Sequence, residues 1–195
     1  MKKSSKNKIT IVLVFAAFLV PAMIATLLHS EWLTWRPGET RNHGELIEPV
    51  IELPDFSLTM AGGDLLERAD LIDQWQLVHH VRGACGEDCL EQLYWLRQVR
   101  LAQDRHQPDI GLMVLIESGI DSETVEAIRE LSANFRILHG EPAHSLGNSF
   151  PMTEYRGHSY IVDPDGNIIM GYASDADPNG IRRDLRRLLT WTQRD

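Results

Sequence analysis

The sequence predicts an α/β protein, a mixed sheet flanked by helices, with one N-terminal transmembrane helix. Three observations carry that expectation. Ile9 to Ser30 is a run of 22 residues without a charged side chain. Beyond about residue 53 the chain reads as strand, helix, strand, helix, strand, hairpin and closing helix. The only two cysteines, Cys85 and Cys89, stand where the first of those strands gives way to a helix. Strands alternating with helices imply parallel pairing through right-handed crossovers, and the hairpin adds an antiparallel edge.

Length separates an anchor from a cleaved signal. At about 1.5 Å per residue, the 22 residues of 9–30 cover a bilayer core of roughly 30 Å. A signal peptide has an apolar region of about 7–15 residues ending at an A-x-A-like site. The run contains neither that site nor a lipobox cysteine. Residues 1–8 carry Lys2, Lys3, Lys6 and Lys8, so the positive-inside rule makes them a cytoplasmic basic tail. Everything after the span then lies on the outer side, which for a bacterial inner membrane is the periplasm. Residues 31–52 read as a linker, with Pro37-Gly38, Pro49, and Trp32 and Trp35 at the membrane interface. Residues 53–195 are the folded domain.

The formal net charge is −9, and the basic tail contains no acid, so the domain is more acidic still. Such a surface excludes a nucleic-acid partner, which selects basic patches. It is compatible with cationic metal cargo or a basic protein partner. With 43% hydrophobic residues the domain has material for a full core.

Within the domain, Phe56-Ser57-Leu58-Thr59 reads as an early strand and Gly62-Gly63 as a turn. Trp75 to Val81 is the strand feeding the cysteines, and Cys89 to Val99 is the helix after them. Gln107-Pro108-Asp109 breaks the chain before Ile110 to Ile116, an unbroken apolar run typical of a strand covered on both faces. Asp121 or Ser122 caps a helix running to Leu131, with Glu126 completing a capping box if Ser122 is the cap. Phe135 to His139 is a short strand, and 140–156 a long, weakly patterned loop. Asp163-Pro164-Asp165-Gly166 between two strand-like runs is a hairpin signal. Ile181 to Trp191 closes the chain as an amphipathic helix. This order is that of a thioredoxin-like domain.

The cysteines are spaced C-x-x-x-C, at or just before a helix N-terminus. There, unpaired N–H groups and the helix dipole favour an anion, and so a thiolate, which is both nucleophile and metal ligand. Glu87 and Asp88 beside the thiols oppose that. If the helix has begun by Cys85, the i, i+4 spacing brings the sulfurs onto one face, so the pair can close a disulfide or grip one soft metal ion. A purely structural staple is the plainer reading, but a ring of three intervening residues removes little chain entropy. His79 and His80 alternate to opposite faces of their strand, so one of them can point toward the site. His106, His139, His144 and Met152 are weaker candidates.

With these features, and with His158 in Gly-His-Ser-Tyr-Ile-Val-Asp-Pro-Asp-Gly, the chain resembles the Sco-type (SenC-like) thioredoxin-fold proteins, the copper-handling assembly factors of cytochrome c oxidase. It is similar in overall style to their short bacterial transmembrane relatives. The resemblance covers roughly Leu53 to Leu189. It implies one copper ion, Cu(I) or Cu(II), held by Cys85, Cys89 and His158, and an oxidase subunit or another assembly factor as partner. Two thiolates and an imidazole suit copper, whereas structural zinc takes four ligands. The chain departs from the family motif in lacking a proline after each cysteine, where Gly86 and Leu90 stand, and in having Glu87 for an aspartate. The expected function is therefore a membrane-anchored copper chaperone. The alternative is a thiol–disulfide oxidoreductase in which Cys85 attacks and Cys89 resolves, keeping the cysteines of an oxidase copper site reduced.

Overall fold

A computed structural model describes residues 13–21, 23, 26, 42–151 and 158–192. The basic tail 1–8 lies outside the described residues, as do parts of the expected anchor and linker. Residues 13–21, 23 and 26 are helical. No helix among the described residues is long and apolar enough to cross a membrane. The chain divides into two compact units, Met1–Thr40 and Arg41–Asp195.

The second unit is built on a six-stranded sheet. Its strands are β1 (Glu45–Glu52), β4 (Trp75–Val81), β5 (Ile110–Ile116), β6 (Phe135–His139), β7 (His158–Val162) and β8 (Asn167–Tyr172), in the order β1-β8-β7-β4-β5-β6. β4, β5 and β6 pair in parallel, while β7 and β8 run antiparallel to their neighbours. Two short strands, β2 (Ser57–Thr59) and β3 (Leu65–Glu67), form a separate ribbon. The helices are α1 (Glu87–Leu101), α2 (Ser122–Leu131), α3 (Glu141–Gly147) and α4 (Pro178–Thr192). The thioredoxin-like arrangement expected from the element order is present.

Two elements depart from the expectation. Residues 45–52, taken as linker, form β1 and close the sheet edge against β8. This strand is mostly exposed, with only Ile47 and Ile51 half-buried, so it carries no clear apolar alternation. Its entry is fixed by the buried Asp184 of α4, whose Oδ2 accepts from the backbone N–H of His43 (2.7 Å) and Gly44 (2.9 Å). A side chain at Gly44 would run into the Tyr172 ring, 2.5 Å from the position of its Cβ. The second departure is α3, which occupies part of the expected loop 140–156. It starts after Gly140, whose φ of +63° is a glycine conformation, and buries Ala143 and Leu146.

The sheet divides the core in two. Leu77 and Val81 of β4, Leu112, Val114 and Ile116 of β5 and Ile161 of β7 face α1, α2 and α4. Val78, Met113, Leu115, Tyr160 and Val162 face α3, Phe150 and the β2–β3 ribbon. α1 docks through Cys89, Leu93, Leu96 and Val99, a spacing that keeps one helical face on the sheet. Asp121 caps α2, its carboxylate accepting from Thr124 N–H at 2.7 Å, so the alternative box on Ser122 is not the one used. In the β7–β8 turn Asp163 Oδ1 accepts from the N–H of Asp165 (3.0 Å) and Asn167 (2.8 Å), and Gly166 adopts φ +86°.

Candidate functional site

β4 is buried at every position and delivers the chain through Arg82–Gly86 to the start of α1. Gly86 is the N-cap residue and makes no side-chain cap. Cys85 directly precedes it, and Cys89 is the third helical residue, so the pair spans the cap where the helix N-terminus presents its unpaired N–H groups. The helix has therefore not begun by Cys85. The two sulfurs are nonetheless joined in a disulfide, and no free cysteine exists among the described residues. Cys85 is 8% exposed and Cys89 6%, so exposure does not single out an attacking sulfur.

An open cleft of about 660 Å³ lies beside the disulfide. Cys89 and His79 line it, together with the carboxylates of Glu87, Asp88, Glu91 and Asp175. None of these four carboxylates forms an ion pair among the described residues. Glu87 and Asp88 suit the positive end of the α1 dipole. His79 is buried on the cleft side of the sheet, and its Nδ1 lies 3.1 Å from Ser159 Oγ on the paired strand β7. Burial, with His80 and His158 nearby, pushes its imidazole down to about 3, so it is neutral at physiological pH.

His80 points to the other face, as strand alternation requires. Its Nε2 bonds Glu117 Oε1 at 2.8 Å, and His144 Nδ1 reaches Glu117 Oε2 at 3.1 Å. Arg82 Nε stands 3.7 Å from the same carboxylate. His80 is held below its ordinary pKa by burial, against the opposing effect of Glu117. Burial raises the Glu117 carboxyl, but hydrogen bonds and charge from His144 and His80 outweigh it, and the group sits below the usual range. Gly147 packs directly on His80, since a Cβ there would lie 2.6 Å from Nε2.

Of the three residues expected to gather at one site, the structure brings together Cys85 and Cys89. His158 pairs in register with His80 and so shares the opposite sheet face, beside Tyr160. The thiols are committed to each other, and the histidine on the cleft side is His79. Among the described residues no group of three or more His, Cys, Asp or Glu side chains is arranged to hold a metal ion. In this form the donors do not make the three-ligand copper site implied by the resemblance. Met152 lies outside the described residues. Ser159 and Glu117 were not anticipated, since a serine and a glutamate at strand ends carry no spacing signal.

Residues 75–192 match the family described as transmembrane-like, thioredoxin-like, C-terminal domain. No curated protein matches the chain. Among solved structures, the chain is similar to copper-bound ScoI from Arabidopsis thaliana, at 16% identity and TM-score 0.59, covering 72% of this chain and 99% of that one. It is similar to apo Sco1 from Thermus thermophilus, at 15% identity and TM-score 0.60, covering 75% and 96%. It is also similar to the thioredoxin domain of a thiol-disulfide oxidoreductase from Bacteroides vulgatus, at 15% identity and TM-score 0.54, covering 70% and 94%. At these identities the likeness is one of fold.

Proposed function

The chain belongs to the transmembrane-like, thioredoxin-like C-terminal domain family, and from that premise we propose that it performs thiol–disulfide exchange through Cys85 and Cys89. The observation that carries this reading is the disulfide spanning the α1 N-cap at the edge of an open cleft. A partner thiolate attacks one sulfur and the other leaves as thiolate, where the helix N-terminus stabilises negative charge. A second partner thiol then releases the pair reduced, and the reverse sequence reduces a partner disulfide. Within the Sco-like setting, the substrate is the cysteine pair of an oxidase copper site, presented by an oxidase subunit or assembly factor. Residues 9–30 anchor the chain in the bacterial inner membrane, with the N-terminus cytoplasmic and the domain in the oxidising periplasm.

Copper delivery is the second reading, favoured by the shared fold with copper-bound ScoI. It requires a reduced pair and a third donor brought to the cysteine side. The exchange reading requires only groups already at the cleft. The deciding experiment incubates the reduced full-length chain with a disulfide-containing peptide and follows transfer. Stoichiometric oxidation of Cys85 and Cys89 with release of peptide thiols supports exchange. Inert thiols that instead take up one tight equivalent of Cu(I), weakened by His158→Ala, support copper delivery.

A further inference from the structure

The cleft contains a polar group that simple exchange does not use. His79 is 1% exposed and lines the cleft beside Cys89. Its Nδ1 faces Ser159 Oγ at 3.1 Å, and its Nε2 has no hydrogen-bond partner among the described residues. Ser159 is itself 4% exposed, and its hydroxyl meets no acceptor among the described residues other than His79 Nδ1. A buried hydroxyl that does not donate leaves a hydrogen bond unmade at a cost of about 1–3 kcal/mol. Ser159 therefore donates to Nδ1, and in a neutral imidazole the proton then resides on Nε2. Burial keeps the ring neutral. The sheet register fixes the pair, since His79 and Ser159 are direct cross-strand partners of β4 and β7.

We infer that the Ser159–His79 pair holds a fixed Nε2–H donor in the cleft, and that this donor stabilises the Cys89 thiolate released when the disulfide opens. The inference rests on the exchange reading. In the step, an incoming thiolate attacks Cys85 Sγ and a new S–S bond forms. The Cys85–Cys89 bond breaks, and its electron pair leaves on Cys89 Sγ. That sulfur accepts a hydrogen bond from His79 Nε2–H, and the proton stays on the ring. When a second partner thiol completes the reduction, the pair has gained two electrons and the partner has become a disulfide. The donor matters because Glu87, Asp88, Glu91 and Asp175 line the same cleft and oppose any further negative charge. It also assigns a role to Ser159, which touches no sulfur and acts by setting the tautomer. The His79 nitrogen that faces the cleft carries a proton and so has no lone pair for a metal.

The test equilibrates the full-length chain with dithiothreitol buffers and counts alkylated cysteines by mass, for wild type, His79→Phe, His79→Gln and Ser159→Ala. His79→Phe removes the donor and is expected to lower the equilibrium constant for reduction about tenfold. His79→Gln retains an N–H and is expected to recover most of that loss. Ser159→Ala frees the tautomer and is expected to give a smaller loss of a few fold. Circular dichroism of each variant establishes that it is folded, and a fold defect alone would not separate Phe from Gln. Equal constants in all four proteins overturn the inference. Loss of the exchange reading would show differently, as a wild-type pair that dithiothreitol reduces but that transfers nothing to a peptide disulfide.

Discussion

His79 and His80 are neighbours in sequence, and both are buried, yet the two faces of β4 put them to different uses. On the α1 face, His79 touches one hydroxyl and leaves a nitrogen toward an open cleft beside the disulfide. On the α3 face, His80 is locked to Glu117, which also holds His144, and Gly147 closes over it. The first face has a histidine lining the cleft, carboxylates without ion pairs among the described residues, and a disulfide. The second has a shared carboxylate and packed rings, with Phe150 tilted on Tyr160 at 5.1 Å, although His80 Nδ1 is buried there without a hydrogen-bond partner among the described residues. The proposed exchange chemistry uses the cleft face, and the Glu117 network of the other face is expected to be support.

That contrast can be broken most severely at the sulfurs. Cys89→Ser is expected to abolish exchange outright, measured as loss of peptide-disulfide turnover, while costing little stability because the ring it opens is short. Next in size is the packing of α1. Leu93 is fully buried under the sheet, so Leu93→Ala should cost about 2–5 kcal/mol in a denaturant titration and loosen the cleft with it. On the opposite face Glu117→Gln leaves His80 and His144 without their carboxylate partner. An expected loss of about 1–3 kcal/mol, with the exchange rate unchanged, would mark that network as structural. A slowed exchange rate would instead join the two faces into one site.

Acid sharpens the comparison further. The folded pKa of His79 lies near 3, below its unfolded value of about 6.5, and that of His80 is lowered as well. Between those values the unfolded chain binds more protons, so stability falls as pH drops below about 6.5. The thermal midpoint is expected to decline from pH 7 toward pH 4, and to decline less in His79→Phe. The smallest effect is expected at the exposed Tyr94–Trp95 pair on α1, where Trp95→Ala should shift stability by under about 0.5 kcal/mol.

Much of this architecture is legible in the sequence where local and tertiary signals agree. The apolar run Ile110–Ile116, the Asp-Pro-Asp-Gly turn and the cysteine-bearing junction each announce their element. β1 was hidden because an edge strand with both faces largely wet has no alternation, and its position is set by Asp184, about 140 residues away. α3 was hidden because seven residues containing Pro142, His144 and Ser145 carry too little helical periodicity. At the site, composition pointed to the cysteine pair, and strand alternation predicted that His79 and His80 would part. It did not say which of them would share the cysteine side, nor where His158 would lie, since that depends on the register of β7 against β4. A one-residue slip would exchange the faces.

The most direct test of the account is the redox state of the pair in the intact chain. Full-length protein would be equilibrated in graded glutathione buffers, trapped by alkylation and weighed. Two populations only are expected, carrying no label or label on both Cys85 and Cys89, with a midpoint within reach of glutathione. A disulfide that stays closed at every ratio would make the pair a structural staple and contradict the assignment.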